Sequence, residues 1–344
     1  MRENEPINFN FEKRVGGAVL KTAPKVSIIT PAYNVARFVA ETLDSIFAQT
    51  FQDYEIILIN DGSPDTPEFE RVLEPYFERI VYLKQPNEGA GTARDVAIGH
   101  SRGEFLAFLD ADDIWLPNFL AEQIDYLEKN ELDMVYADAL LFGGSVYDGK
   151  TFMETAPSSG KVTFESLLDL TCNVITSGTV ARKNRVVTVG MFEPARVRAH
   201  DYVLWLKMAN DNARIGYQRK VLLKYRVHRE SLSGDSVQRV EREIDVYGRI
   251  KKLFDLTEKQ KTIVVEQLQR LDADLEIERG KSFLLAGKFD QAAAAFAKAN
   301  EYQKSNRLRV IVNLARFAPR LLLKIYKRQR AGEISFVPDA EKSA

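Results

Sequence analysis

The chain has 344 residues, 45% of them hydrophobic, enough to bury the core of one large α/β domain and a smaller second one. Its 48 basic and 49 acidic residues nearly cancel, so the overall charge gives no indication of nucleic-acid binding. The single cysteine, Cys172, excludes an intrachain disulfide and a cysteine-rich zinc site. Because we find no signal peptide and no apolar run long enough to span a membrane, we expect a cytoplasmic protein.

Strands and helices alternate along the first half of the chain. Residues 1–24 are polar and predict a loose leader segment. The predicted strands cover 25–30, 54–60, 80–84, 105–109 and 134–142. The predicted helices cover 35–49 with Asn34 as N-cap, 68–77, 90–100 and 117–130. This alternation is typical of an α/β fold with a doubly wound parallel sheet.

Polar side chains follow successive strands at the point where each strand ends. Ligands of such sheets bind beyond the carboxyl ends of the strands. Four polar groups in succession therefore predict a ligand with several polar parts. They are Tyr33 with Asn34, Asp61, Asn87, and Asp110 with Asp112.

The most informative stretch is Phe105–Trp115, an apolar strand that stops at Asp110, Asp112 and Asp113. Three carboxylates at the end of a buried strand repel one another and are costly to desolvate. A divalent cation would relieve that repulsion, and oxygen ligands favour Mg²⁺, Mn²⁺ or Ca²⁺. The alternative is that Asp112 or Asp113 caps the helix that begins near Pro117. These residues alone favour neither interpretation.

The second half alternates less regularly. Residues 143–160 predict loops. Helices are predicted at 164–170, 182–189 and 202–208, and strands from 177 and at 220–227. After about Asp235 only helical patterns remain. Within them Gly280–Ala299 is similar to one tetratricopeptide helix pair, but one partial match does not predict a repeat array.

The last helical stretch, Arg307–Arg330, carries eight cationic residues and no acidic one. Its apolar residues recur at helical spacing, and Pro319 predicts a kink. A basic amphipathic helix is typical of a membrane-surface anchor on the inner face of the cell membrane. A helix packed on the main domain with a solvated basic face explains the pattern equally well, and an acidic partner is a further alternative.

Four segments, in order and spacing, resemble the family 2 inverting glycosyltransferases. They are VSIITPAYN (26–34), INDGSPD (59–65), NEGAGTARDVAI (87–98) and LDADDIW (109–115). The resemblance implies a GT-A fold, a Rossmann-like mostly parallel sheet flanked by helices. It implies a transferase domain at 25–234, with a nucleotide-sugar half (25–115) and an acceptor half (116–234). An α-helical C-terminal extension (235–344) would follow.

The resemblance implies that Pro31, Tyr33 and Asn34 surround the nucleotide base. A tyrosine ring can stack on a pyrimidine, although Tyr33 packing the loop is the alternative. Asp61 would accept the N–H of a uracil ring. The resemblance thus favours UDP, with dTDP close behind because thymine offers the same N–H. The alternative for Asp61 is a turn-forming role in its Asp-Gly pair.

The resemblance also implies a diphosphate and metal site. Asn87, Gly89 and Arg94 match the segment that approaches the diphosphate, where a glycine permits close backbone contact. Asp110 would hold the ribose or the metal, and Asp112 the metal, expected to be Mn²⁺ or Mg²⁺. The alternative for Arg94 is a surface salt bridge.

The segment HDYVLWLKMA (200–209) resembles the stretch that carries the family's catalytic base. Asp201 takes that position, and a carboxylate there can remove the proton of an acceptor hydroxyl. A helix N-cap is the alternative for Asp201. The family's usual glutamate is His200 here, which puts any acceptor contact of that glutamate in doubt.

The segment YRVHRESLS (225–233) resembles the family's ending, where Arg226 and His228 would close over the diphosphate. His228 would be a third metal ligand, or a structural histidine. The family's Q-x-x-R-W segment of processive synthases is absent from the sequence. This absence favours the addition of one sugar at a time.

Together these features predict an inverting, metal-dependent transferase that moves a sugar from a UDP-sugar to an acceptor hydroxyl. The expected acceptor is a glycan or lipid-linked glycan of cell-surface polysaccharide or glycolipid synthesis. A sugar nucleotidyltransferase is disfavoured because residues 30–35 lack a glycine-rich basic loop. The remaining alternative is a non-catalytic nucleotide-sugar-binding or scaffold protein with a helical interaction tail.

Overall fold

The computed structural model describes residues 12–15, 23–145, 147–193, 199–227 and 236–333. They divide into two compact units. The α/β unit contains the residues up to 226 apart from 142–148, and the helical unit contains 142–148 and the residues after 226. The predicted boundary at residue 234 falls within a stretch outside the described residues.

The described part of the α/β unit contains one nine-stranded sheet. Its strands are β1 (Glu12–Val15), β2 (Val26–Ala32), β3 (Tyr54–Asp61), β4 (Val81–Gln85), β5 (Phe105–Phe108), β6 (Ile114–Trp115), β7 (Met134–Phe142), β8 (Thr179–Arg182) and β9 (Ile215–Arg226). They lie in the order β1-β4-β3-β2-β5-β8-β7-β9-β6. Strands β4, β3, β2 and β5 are mutually parallel, as predicted. In the second half β8 pairs antiparallel with both β5 and β7.

Helices cover the sheet because the strands are apolar on both faces. They are α1 (Val39–Phe47), α2 (Thr66–Leu73), α3 (Ala90–His100), α4 (Phe119–Lys129), α5 (Phe152–Thr155), α6 (Phe164–Leu168), α7 (Lys183–Thr188) and α8 (His200–Asn210). All seven residues of β2 and all four of β5 are buried. The loops that carry the predicted site residues Tyr33 and Asp110 therefore begin at the carboxyl ends of two fully buried strands. Part of the expected leader is ordered as β1, which pairs antiparallel with β4.

The segment after β2 differs from the sequence prediction. The strand continues through Pro31 to Ala32, and helix α1 begins at Val39 instead of residue 35. Asn34 has φ +57°, in the left-handed region, and its N–H donates to Ser63 Oγ at 2.6 Å. The N-cap of α1 is Phe38, so the prediction of Asn34 as its N-cap is wrong.

The helical unit consists of α9 (Ser236–Leu253), α10 (Glu258–Leu285), α11 (Phe289–Gln303), α12 (Asn306–Phe317) and α13 (Pro319–Glu333). Helices α10 and α11 pack together at Gly280, where an added Cβ would lie 2.6 Å from the Phe296 ring. Stretch 307–330 forms two helices joined at Ala318 instead of one kinked helix. None of the described helices is long and apolar enough to cross a lipid bilayer.

Candidate active site

The loop after β2 carries the first predicted site residues. Pro31 is buried inside β2, whereas Tyr33 and Asn34 lie beyond the strand end and are exposed. The Ala36 N–H donates to Asp65 Oδ2 at 2.8 Å, which ties this loop to the loop after β3. A half-exposed Tyr33 on a tethered loop is available for stacking on a ligand ring.

Asp61, the last residue of β3, organises the loop after β4. Its Oδ1 accepts hydrogen bonds from Gln85 Nε2 at 2.7 Å and from the Glu88 N–H at 2.9 Å. Its Oδ2 accepts the Gly89 N–H at 2.8 Å. A carboxylate has about four lone-pair sites, and these bonds use three of them. Asp61 therefore shapes the loop and retains the capacity to accept one further N–H.

Two glycines allow the loops to approach each other. Gly62 has φ +63°, and an added Cβ would lie 2.4 Å from the Asn87 backbone nitrogen. Gly89 has φ +91° and occupies the N-cap position of α3. Asn87 is half-buried between them. Any larger side chain at Gly62 would displace the loop that Asp61 holds.

Arg94, in the second turn of α3, is only 3% exposed, so it is not a surface residue. Its guanidinium forms an ion pair with Asp110 and lies 3.4 Å from His200 Nε2 through Nη1. The guanidinium carbon lies 5.5 Å from the centre of the Phe192 ring. Arg94 therefore links the carboxylate at the end of β5 to the start of α8.

Asp110, Asp112 and Asp113 lie in the turn between β5 and β6. Burial raises the pKa of Asp110, with the charge of Asp112 adding to it and Arg94 opposing it. Burial also raises the pKa of Asp113 well above its usual range, and the charges of Asp112 and Asp110 add to this effect. Burial is the main cause of both shifts, so the ionised forms of these carboxylates are costly in the turn.

Arg226, the last residue of β9, closes this turn from the other side. Its N–H donates to Asp113 Oδ1 and its Nε to the Asp112 carbonyl oxygen, both at 2.8 Å. Its guanidinium also pairs with Glu41 and lies over the Phe38 ring at 4.3 Å.

The alternative that Asp112 or Asp113 caps the helix near Pro117 is wrong. Asp113 is 1% exposed and binds β9. The N-cap of α4 is Asn118, so Asp112 and Asp113 do not cap that helix. Pro117 precedes the cap instead of standing in the first helical turn.

Asp201 lies in the first turn of α8, whose N-cap is Ala199, so the N-cap alternative for Asp201 is wrong. Its Oδ2 accepts a hydrogen bond from Thr176 Oγ1 at 2.7 Å, and its Oδ1 accepts the Tyr202 N–H at 2.9 Å. Burial acts to raise the pKa of Asp201. The charge of His200, the Thr176 hydrogen bond and the charge of Arg94 outweigh that effect and lower the pKa below its usual value. Asp201 is therefore ionised at neutral pH.

His200, which replaces the family's usual glutamate, packs between α3 and Phe192. An added Cβ at Gly91 would lie 3.0 Å from His200 Cγ, and the Phe192 ring centre lies 5.4 Å from that of His200. The side chain at this position thus sits against α3 and contributes positive charge beside Asp201.

A short 3-10 turn, Thr176–Gly178, connects the two groups of carboxylates. Besides the bond from Thr176 to Asp201, the Asp110 N–H donates to Ser177 Oγ at 3.2 Å. Trp115 Nε1 donates to the Ser177 carbonyl oxygen at 2.7 Å and anchors the turn. The strand predicted from residue 177 starts at Thr179 instead. A three-residue turn has no periodic pattern, so its contacts with Asp110 and Asp201 could not be predicted.

The metal prediction rests on Asp110 and Asp112. Within the described ranges no three histidine, cysteine, aspartate or glutamate residues are grouped as a metal site would require. The predicted third ligand, His228, lies outside the described residues. The oxygen donors of the turn nevertheless fit a hard divalent cation, which would stabilise the ionised carboxylates, with further oxygens supplied by a ligand. Among the described residues, Asp110 and Asp112 are the carboxylates predicted to hold it.

The family model described as Glycosyl transferase family 2 matches residues 27–183. Two solved glycosyltransferases resemble the chain. The first is Staphylococcus aureus TarS in complex with UDP, with a TM-score of 0.55 and 21% identity over 90% of this chain and 92% of that one. The second is the mannosyltransferase PcManGT of Pyrobaculum calidifontis in complex with GDP-Man and Mn²⁺, with a TM-score of 0.58 and 18% identity over 90% and 88%. These likenesses show the GT-A fold.

A curated relative extends the match along the sequence. It is the UDP-Glc:alpha-D-GlcNAc-diphosphoundecaprenol beta-1,3-glucosyltransferase WfgD of Escherichia coli. The two chains are 32% identical over 228 residues, which cover 65% of this chain and 85% of WfgD. Since the two sequences are more than 30% identical over most of both proteins, the chain belongs to glycosyltransferase family 2.

Proposed function

We propose that the chain transfers a sugar from a UDP-sugar to a hydroxyl of a lipid-linked glycan, with inversion at the anomeric carbon. The observation that carries the proposal is the convergence of Asp110 and Asp201 on Arg94 at the carboxyl end of the sheet. Asp110 forms an ion pair with Arg94, and the charge of Arg94 lowers the pKa of Asp201. A donor held at Asp110 would therefore lie within reach of a base at Asp201.

The donor would bind along the ends of β2, β3 and β4. Tyr33 is exposed for stacking on the uracil ring, and Asp61 retains one acceptor position for the ring N–H. The N-terminus of α3 after Gly89 suits a diphosphate, because the first N–H groups of a helix have no partner within the helix and this first turn carries no acidic residue. UDP is favoured because WfgD is named as a UDP-Glc transferase and TarS was solved with UDP.

Asp110 and Asp112 are the residues that would hold Mn²⁺ or Mg²⁺ together with diphosphate oxygens. The cation would stabilise the negative charge of the leaving UDP. Arg94 keeps Asp110 in place, and the backbone contacts of Arg226 hold the turn that carries Asp112. The role of the turn between β5 and β6 would thus be to hold carboxylate oxygens in fixed positions beside the diphosphate.

Asp201 would act as the general base. Its lowered pKa keeps it ionised, and the Thr176 hydrogen bond fixes one carboxylate oxygen. As the acceptor oxygen forms its bond to the anomeric carbon, Asp201 takes the hydroxyl proton and the bond to UDP breaks. A single displacement of this kind inverts the anomeric configuration, and its transition state resembles an oxocarbenium ion.

The acceptor is proposed from the likeness to WfgD, which is named for transfer to a sugar linked to diphosphoundecaprenol. Such an acceptor lies in a membrane, so we place the enzyme at the cytoplasmic membrane surface, in cell-surface polysaccharide synthesis. A lipid-linked sugar presents one free glycan end to the enzyme, which fits the addition of one sugar at a time.

The test is transfer from UDP-, dTDP-, GDP- and CDP-sugars to undecaprenyl-diphosphate-linked sugars, measured as release of free nucleotide. We expect release of UDP from a UDP-sugar, and this release should depend on Mn²⁺ or Mg²⁺. The anomeric proton coupling in the NMR spectrum of the product should show a configuration opposite to that of the donor sugar. Nucleotide binding without release, across the whole panel, would favour the non-catalytic binding protein instead.

A further inference from the structure

The exposed side chains of α12 and α13 form a surface, here called the basic face, that the proposed transfer reaction does not use. Four apolar side chains project from it: Val310, Phe317, Leu321 and Ile325, with exposures of 57%, 85%, 51% and 40%. Phe317 ends α12 just before the turn at Ala318. Large apolar side chains this exposed usually mark an interaction site when they cluster.

These apolar residues are not loosely packed parts of the core. The opposite side of the two helices already buries Leu308, Val312, Ala315 and Leu322, which belong to the apolar core shared with α10 and α11. Each helix therefore has an inner apolar stripe that is covered and outer apolar residues that are not. The outer residues remain available to a partner outside the helical unit.

The basic face also concentrates positive charge. Seven cations with described side chains surround its apolar residues, and none forms a salt bridge within the part of the chain that the structure describes. Residues 302–332 contain no acidic residue, although acidic and basic residues nearly balance in the whole chain, whose net charge is −1. The seven are Arg307, Arg309, Arg316, Arg320, Lys324, Lys327 and Arg328.

Helices α10 and α11 are different. There Lys281 pairs with Glu278 at 2.6 Å, and Lys298 pairs with Glu276 at 2.8 Å. Several cations of these two helices thus pair with carboxylates of the unit, whereas the seven cations of the basic face form no such pair among the described residues.

We propose that the basic face docks on an anionic phospholipid bilayer, with Phe317 and Leu321 entering the boundary between headgroups and acyl chains. Cations beside them, such as Arg320 and Lys324, would contact the headgroups. Exposed apolar residues interspersed with cations along helices are typical of binding in a membrane interface. An acidic protein surface would pair the charges but would offer no apolar phase to a side chain as exposed as Phe317.

The inference rests on the proposed function in one respect, the membrane location of the acceptor. Its physical argument concerns α12 and α13 alone, and its test requires no sugar transfer. The two proposals can therefore fail independently.

The experiment measures sedimentation of the full chain with vesicles. One set contains phosphatidylcholine, and the other adds about 30% phosphatidylglycerol to give an anionic surface. We expect binding to the anionic vesicles only, and a steep loss of binding in about 0.5 M salt because surface charges are then screened. Equal binding to both sets, or no binding to either, would overturn the proposal.

Matched variants locate the contact. Each cation near an anionic membrane contributes about fivefold to binding, so Arg320→Gln with Lys324→Gln should weaken it about 25-fold. The control is Lys251→Gln with Lys252→Gln, which removes two exposed cations from α9 and should change binding less than about twofold. Equal losses in both pairs would mean that the net charge, not the basic face, determines binding.

The apolar part has its own matched pair. Leu321→Ser should weaken vesicle binding about tenfold, because the exposed leucine loses its transfer into the interface. Leu253→Ser removes a leucine of similar exposure, 47%, from α9 and should leave binding unchanged. In all four variants UDP should stabilise the fold as in the wild type, which separates a lost docking surface from a damaged donor site. If Leu321→Ser instead changes the oligomeric state and not vesicle binding, the surface joins two copies of the chain and the proposal is wrong.

Discussion

The two units of the molecule use charge in opposite ways. In the α/β unit Asp61, Arg94 and Asp113 are each at most 3% exposed, and each is held by backbone N–H groups or an ion pair. In the helical unit the cations of the basic face lie in solvent. The contacts in the α/β unit hold a few charged side chains in fixed positions. The exposed cations of the basic face create a positive electrostatic potential, although no salt bridge fixes their positions.

The difference determines what a substitution should do. A buried polar group that loses its partner costs about 1–3 kcal/mol, so changes in the α/β unit should alter stability and ligand binding together. An exposed cation contributes about 0–1 kcal/mol to stability, so changes on the basic face should alter only the binding of a partner. Four predictions test this contrast, and they begin with the largest effect.

Asp201→Asn should abolish most of the activity while the fold survives. Loss of a general base costs about 10²–10⁴-fold in rate, and an asparagine oxygen can still accept the Thr176 hydrogen bond. The measurement is kcat with a UDP-sugar, beside the melting temperature. Asp211→Asn is the control, since it changes an exposed carboxylate at the end of the same helix. If Asp201→Asn retained wild-type kcat, Asp201 would not be the base.

Asp61→Ala should weaken both folding and UDP binding. It leaves the N–H groups of Glu88 and Gly89 and the amide of Gln85 without their acceptor, a loss of about 2–4 kcal/mol in the free energy of unfolding. Urea unfolding and UDP titration measure the two effects. Asp53→Ala, at an exposed position just before β3, should stay within about 0.5 kcal/mol of the wild type. A large loss of UDP affinity without any loss of stability would contradict the loop-organising role.

Gly280→Ala should destabilise the helical unit without touching the donor site. The new Cβ would meet the Phe296 ring at 2.6 Å, and overpacking of this kind costs about 1–3 kcal/mol. Gly248→Ala is the opposite case, because nothing lies within 4 Å of its added Cβ in α9. There we expect a gain of about 0.5–1 kcal/mol from helix propensity. Equal effects of the two substitutions on thermal unfolding would contradict the packing described for α10 and α11.

The smallest effect concerns pH and Asp95, whose Oδ1 accepts the Phe192 N–H at 3.0 Å. Burial raises the pKa of Asp95 to about 7, against the opposing effects of Phe192, Lys207 and Arg94. The folded state then binds the proton more tightly than the unfolded state, so stability falls as the pH rises toward 7 and is constant above it.

Asp95→Asn removes this titration. Relative to the variant, the wild type should lose on the order of 1–2 kcal/mol between pH 5 and pH 8, measured by urea unfolding at both values. A stability difference that is the same at pH 5 and pH 8 would show that Asp95 does not titrate in this range.

The sequence predicted best where local pattern and chemistry coincide. The strands were predictable because apolar runs end sharply at polar residues, and the position of Asp61, Asp110 and Asp112 at those ends follows from the parallel topology. The roles of these residues came from the family resemblance, and they stay predictions.

Long-range contacts explain what the sequence did not predict. Helix α1 starts late because Asn34 and Ala36 donate to Ser63 and Asp65 of another loop. Thr176 reaches Asp201 across 25 positions of the chain, and no periodicity marks such a contact. In stretch 307–330 the sequence showed the charge correctly, but the turn at Ala318 and the division into covered and exposed apolar residues depend on packing against the rest of the unit.

The most direct test of the donor site is thermal stability in the presence of UDP, dTDP, GDP or CDP, each with and without Mn²⁺. A nucleotide that binds only the folded state at 100-fold its Kd stabilises it by about 2.7 kcal/mol. We predict a shift for UDP that requires Mn²⁺ and disappears in Asp112→Ala. No shift with any of the four nucleotides, or equal shifts with all of them, would contradict a UDP-sugar site at these strand ends.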